Sequence, residues 1–112
     1  TALVWGQPLM GRQPDDAPNE KKEPLPVAWF KTWKTSEGKD ARVFHSTMGS
    51  GKDLESAGLR RLVINATYWG MRLESSISPT SKVDYVGSYK PLASGFNYEK
   101  LGVVPKFPAA YK

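Results

Sequence analysis

The residues with the most chemistry in them lie within 41–73, ARVFHSTMGSGKDLESAGLRRLVINATYWGMRL. Gly49-Ser50-Gly51-Lys52 separates a strand-like run from a helix-like one, the position at which phosphate loops occur. A phosphate loop requires a glycine five positions before Gly51 and Ser or Thr after the lysine, and this chain has Ser46 and Asp53 there. Asp53 would also put a negative charge where phosphate binds. The run therefore reads as a glycine turn closing a strand–helix unit. Backbone N–H groups free at such a helix start can hold a carboxylate or a sugar hydroxyl. In α/β proteins ligands gather beyond the carboxyl ends of strands, which directs attention to residues 47–53.

His45, the single histidine, lies in the strand just before this turn. It is the one plausible proton-transfer group near neutral pH, but no partner carboxylate is identifiable beside it, and a hydrogen-bonded core role is the plainer reading. Asn65 falls mid-helix beside an apolar stripe, where its amide must either fasten the helix to a loop or face a ligand. Arg60 and Arg61 are expected to point in two directions rather than form a clamp. Ser46 lacks the G-x-S-x-G elbow that exposes a nucleophile. Trp5, Trp29, Trp33 and Trp69, with five tyrosines, could stack on sugar rings or simply form core. No catalytic set is complete within the chain.

The elements that must position these residues follow from periodicity. Residues 1–7 (TALVWGQ) form a short apolar strand, and 8–26, with five prolines and no period, a long surface loop. Residues 27–33 (VAWFKTW) make a second strand, 36–40 a glycine-containing turn, and 42–48 the antiparallel return. Neither face of the return strand is uniformly polar, so it is expected to be covered on both sides. A helix follows to about Leu73, with Lys52 or Asp53 near its N-cap. Leu59, Leu62, Ala66, Trp69 and Leu73 form its main stripe, and Ile64 and Met71 lie nearly opposite. Such a helix asks for cover from more than one element. From Ser75 the period fails, and 75–112 reads as an extended tail whose aromatics pack across the domain formed by 1–74; the last ten residues equally fit a disordered end.

Bulk composition narrows the classes. The chain has 112 residues, 39% hydrophobic, with ten glycines and nine prolines, enough for one domain or part of one with long irregular stretches. It opens on Thr1 without an initiator Met or apolar leader, which points to a fragment or processed product. The lack of cysteine removes disulfides, thiolate metal sites and a cysteine nucleophile. One histidine cannot build a histidine-rich zinc site, and nothing calls for a metal or cofactor. No apolar run approaches the ~20 residues that span a bilayer. The net charge of +5 is spread over 16 basic residues interleaved with 11 acids, which argues against a nucleic-acid partner.

PVAWFKTW (26–33), RVFHSTMG (42–49) and DLESAGLRRLVINATYWGM (53–71) together resemble the C-terminal half of a ThuA-like, or trehalose-utilisation, domain. LVWGQPL (3–9) and KVDYVGSYKPLASGF (82–96) resemble a bacterial subgroup often found in exported proteins. That family resembles class I glutamine amidotransferases. Two departures are visible: Gly49-Ser50-Gly51 replaces a Gly-His-Asp common in the family, and His45 stands where Tyr or Thr is usual.

The resemblance implies a flavodoxin-like α/β fold, of which this chain would supply a β-hairpin, one long helix and the tail. It implies a role in carbohydrate metabolism on a disaccharide or keto-sugar derivative, a periplasmic or secreted location, and completion of the sheet by an N-terminal half of the same domain. The site would lie at the carboxyl edge of the sheet, with Gln7, Thr47, Gly49, Ser50 and Asp53 binding substrate and His45 moving a proton. A non-catalytic sugar-binding or scaffold domain is the main alternative. Alone, the two-sided helix would leave apolar surface exposed and favour association into a homo-oligomer.

Overall fold

A computed structural model of the chain describes residues 1–91, 102, 106 and 107. The described part is mixed α/β: strands β1 (Ala2–Gly6), β2 (Leu25–Lys34) and β3 (Asp40–Ser46), then a 3₁₀ turn Asp53–Glu55, helix α1 (Ala57–Gly70) and a second 3₁₀ turn Glu74–Ser76. The strands form one antiparallel sheet in the order β1-β2-β3.

The expected hairpin between β2 and β3 is present, in unbroken register from Ala28↔Ser46 to Lys34↔Asp40. Its turn is closed by Gly38 N–H donating to Thr35 O (2.9 Å) and Thr35 N–H to Lys39 O (2.8 Å). Gly38 takes φ +76°, a conformation glycine adopts without the Cβ penalty. The strand bounds differ from the sequence reading. β2 starts earlier, at Leu25, because Gly6 and Trp5 offer it ladder partners in Leu25 and Pro26. β3 ends at Ser46; Thr47 N–H still donates to Val27 O (2.9 Å), but Met48 turns away, its N–H captured by the Ser46 hydroxyl (3.1 Å).

Alternation along the ladder puts Ala28, Phe30, Phe44 and Ser46 on one face and Trp29, Lys31, Trp33, Val43 and His45 on the other. The first face receives α1. Phe30 meets Trp69 edge-to-face with centroids 5.0 Å apart. β1 carries two register irregularities around Val4, which turn both Leu3 and Val4 toward the α1 side. A hollow of about 230 Å³ remains between sheet and helix, lined by Leu3, Phe30, Phe44, Leu62, Ala66 and Trp69 among others. Among the described residues only Ala28, Leu59 and Val83 are buried apolar positions. The second face has no covering element among the described residues, so the two-sided cover expected for β3 is present on one side. His45 is exposed and Trp33 is 45% exposed.

The expected continuous helix from about 53 to 73 is interrupted and shorter. Ser56 has extended backbone (ψ 117°), ending the 3₁₀ turn, and its hydroxyl accepts the Leu59 N–H (3.3 Å), so Ser56 caps α1 in place of Lys52 or Asp53. At the other end Leu73 N–H donates to Tyr68 O (2.8 Å) and Arg72 N–H to Trp69 O (3.1 Å), with Arg72 at φ 63°. These bonds form a Schellman motif. Leu73 therefore leaves the helical stripe and is exposed.

Residues 77–85 run beside α1 as a strap. Asn65 Nδ2 donates to Ser78 O (3.0 Å) and its Oδ1 accepts Ser78 N–H (3.4 Å), the loop-fastening role. Arg60 and Arg61 do not diverge as expected. Both reach the strap, Arg60 Nε to Val83 O (2.6 Å) and Arg61 Nε to Ser81 O (3.2 Å), because the carbonyls on either side of Lys82 both meet the helix. Residues 8–24 have more order than a featureless loop: Leu9 and Pro18 form an antiparallel bridge, flanked by Met10 N–H to Ala17 O (2.9 Å) and Asn19 N–H to Pro8 O (2.8 Å). The tail aromatics Phe96, Tyr98 and Tyr111 lie outside the described residues.

Candidate functional site

Because β1 and β3 both run antiparallel to β2, their carboxyl ends meet at one end of the sheet. Gln7 follows β1 there and Thr47 follows β3, with the start of β2 between them. The topology thus brings Gln7 and the turn 47–53 to one edge. Gln7 turns its amide onto the carbonyls of its own loop, Nε2 lying 3.2 Å from Pro8 O and 3.5 Å from Asn19 O and Lys22 O. Thr47 Oγ1 lies 3.3 Å from Val27 O.

The turn itself is built around Asp53. Its Oδ2 accepts the N–H of Gly49 (3.0 Å) and of Ser50 (2.9 Å), while the Ser50 hydroxyl accepts the Asp53 N–H (3.2 Å). This reciprocal Ser50/Asp53 exchange is a capping box at the start of the 3₁₀ turn. Gly49 has φ +147°, which directs its N–H at the carboxylate. The Gly49 N–H, then the Ser50 N–H and hydroxyl, hold the Asp53 carboxyl below its usual pKa, so it is ionised at neutral pH. The donors that an external anion would use are occupied by the chain's own carboxylate. Asp53, Ser50 and Thr47 are exposed, and their oxygens are of the kind that a ligand rich in hydroxyls would use. The S-x-x-D spacing of Ser50 and Asp53 is the sequence signal of this box, and it overlaps the glycine motif.

Two tyrosines bracket the turn, and their position could not be read from the sequence. Tyr89 Oη donates to Gly51 O (2.6 Å) and Tyr85 Oη to Leu54 O (2.9 Å), and the two rings stack at 4.6 Å. Arg60 lies over the Tyr85 ring (4.2 Å) and donates to its hydroxyl (2.8 Å).

His45 stands apart from the turn on the open face. Its ring stacks on Trp29 (centroids 5.0 Å, 22°), and among the described residues it has no hydrogen-bond or ion-pair partner. Among the described residues no carboxylate orients it. Further along the same face Trp29, Lys31, Trp33 and Val43 line a hollow of about 380 Å³. Among the described residues no group of three or more His, Asp or Glu side chains could hold a metal ion, and no helix is long and apolar enough to cross a membrane.

The chain matches no family model, no curated protein and no solved structure.

Proposed function

We propose that the chain recognises a carbohydrate, a disaccharide or keto-sugar derivative, as the C-terminal part of a ThuA-like domain. The observation that carries this reading is the capping-box turn. Asp53 is ionised and satisfies the Gly49 and Ser50 N–H groups with its own Oδ2, while Asp53, Ser50 and Thr47 are all exposed residues of the same turn. An exposed carboxylate disfavours a phosphate and favours a polyol, whose hydroxyls donate to it. A flavodoxin-like sheet belongs to the same reading, with this antiparallel unit at its edge, as mixed sheets often have. So do completion by an N-terminal half, a homo-oligomeric state and a periplasmic or secreted location. Binding without turnover is the better supported form, since His45 has no orienting partner among the described residues.

Thermal unfolding with and without trehalose, maltose and sucrose tests the proposal. A sugar-dependent rise in Tm that Asp53→Asn diminishes is the expected result, because a ligand bound only to the folded state raises its stability. No shift with any of the three sugars would overturn it.

A further inference from the structure

We infer that the hollow between Trp29 and Trp33 on the open sheet face is a subsite for a carboxylated sugar ring, a uronate of an acidic saccharide. The inference rests on the carbohydrate reading above and adds to it the charge of the ligand. Trp29 and Trp33 project from the same face of β2, flanking Lys31, which pairs across the ladder with Val43. Alternate same-face residues in a strand stand about 7 Å apart. Trp29 and Trp33 are two such steps apart, about 14 Å, with Lys31 and Val43 between them, so a ring stacked on either indole lies beside Lys31; the hollow that the four residues line, about 380 Å³, falls in the range of small-ligand sites. Trp29 is held by its stack on His45. Trp33 is 45% exposed, an open aromatic face.

Charge selects among ligands that stack on indoles. Around the hairpin Lys34 pairs with Asp40 (2.7 Å) and Lys39 with Glu37 (2.8 Å), whereas Lys31 has no ion pair or hydrogen bond among the described residues. A neutral ring seated on Lys31 would answer the ammonium only with a hydroxyl lone pair, a weaker acceptor than a carboxylate. A ring carboxylate would meet it in a charge-assisted hydrogen bond. A nucleic-acid strand would also stack, but its phosphates call for a track of cations. Here, among the described residues, Lys31 is the one cation lining the hollow.

The test is titration of tryptophan fluorescence with the galacturonate trimer, the galactose trimer of the same linkage, and poly-U. The protein and its Lys31→Gln and Trp33→Ala variants are compared, and circular dichroism checks their folding. The acidic trimer is expected to bind about tenfold tighter than the neutral one at low salt, as one hydrogen bond to a charged group allows. Lys31→Gln should bring the two affinities together without weakening the neutral trimer. Trp33→Ala should weaken both about tenfold, the loss of one stacking surface. Equal affinity for both trimers, untouched by Lys31→Gln, overturns the uronate subsite and leaves the carbohydrate reading standing. Binding of neither trimer, with stabilisation by trehalose retained, overturns the subsite alone; loss of trehalose stabilisation as well overturns both. Poly-U binding tighter than the acidic trimer, with affinity falling steeply with salt, overturns the subsite in favour of single-stranded nucleic acid.

Discussion

Asp53 and Ser50 cap each other: the carboxylate accepts the Ser50 N–H at 2.9 Å and the Ser50 hydroxyl accepts the Asp53 N–H at 3.2 Å. One exchange thereby fixes the turn that joins the sheet to the helix. It also makes the turn sensitive to acid. The folded Asp53 carboxyl is held below its usual value by the Gly49 and Ser50 donors. A depressed folded pKa stabilises above the unfolded value of about 3.9, and that stabilisation is lost as the pH falls through the folded value. Asp53→Asn is therefore expected to lower Tm at pH 6, with the gap to the parent closing toward pH 2. Melts across that range measure it, and a gap that stays constant with pH would contradict the assignment.

Arg42 links the sheet to the far end of the helix. Its Nη1 donates to the Trp69 carbonyl and to Glu74, and its guanidinium lies 5.1 Å from the Trp69 ring centroid. With its side chain 18% exposed, the interaction is poorly screened on the Arg42 side. Arg42→Ala leaves the Trp69 carbonyl without this donor and should destabilise by about 1.5 kcal/mol, the loss expected when a charged group leaves a partly buried hydrogen bond; the exposed Glu74 contact adds little. Chemical denaturation at neutral pH measures this, with an unchanged m value if the compactness of the two states is unaltered.

The parts legible in the sequence were those set by local pattern. Residues 27–33 and 42–48 alternate, and Gly38 supplies a turn, so the hairpin could be read. Leu59, Leu62, Ala66 and Trp69 recur at helical spacing, so the helix and its sheet-facing stripe could be read too. The helix ends could not, because competing signals sat side by side. Asp53 is a good N-cap residue, but its carboxylate serves Gly49 and Ser50, and Ser56 takes the cap. Gly70 looks like a helix stop, but the left-handed position falls on Arg72. The strap was illegible for a different reason. Asn65–Ser78 and Tyr89–Gly51 join residues far apart in sequence with no shared period, so only the three-dimensional structure pairs them. The same holds for the candidate site. The turn was visible as a turn, whereas the hollow between Trp29 and Trp33 appears only once the fold shows that no described element covers the face both indoles share.

Arg72 offers a direct test of the helix stop. At φ 63° its Cβ is crowded, a cost of roughly 1–2 kcal/mol for a residue other than glycine. Its side chain also donates to Asp40 O (2.9 Å), so a single replacement would mix two effects. Comparing Arg72→Gly with Arg72→Ala separates them, since both lose that bond. The glycine variant is expected to be more stable than the alanine variant by about 1 kcal/mol. Equal stabilities would mean the Schellman geometry does not hold in solution.

Arg60 is the residue through which the strap, the 3₁₀ turn and the helix are joined. Its guanidinium reaches Val83 O (2.6 Å), Leu54 O (2.7 Å), Glu55 O (2.9 Å) and the Tyr85 hydroxyl (2.8 Å). One partner falls on Nε and three share Nη1, a spread across one planar guanidinium that a lysine ammonium cannot reproduce. Arg60→Lys, which keeps the charge, should therefore free the strap while the sheet and α1 persist. Lys82 is exposed within the strap and gives a readout. Where opening is fast relative to cleavage, the rate of tryptic cutting follows the population of the open form. Cleavage after Lys82 should rise about tenfold for each 1.4 kcal/mol of lost strap attachment. A rise of tenfold or more in Arg60→Lys, with far-ultraviolet circular dichroism unchanged, is the expected result. An unchanged rate would mean that Asn65 and Arg61 hold the strap without Arg60.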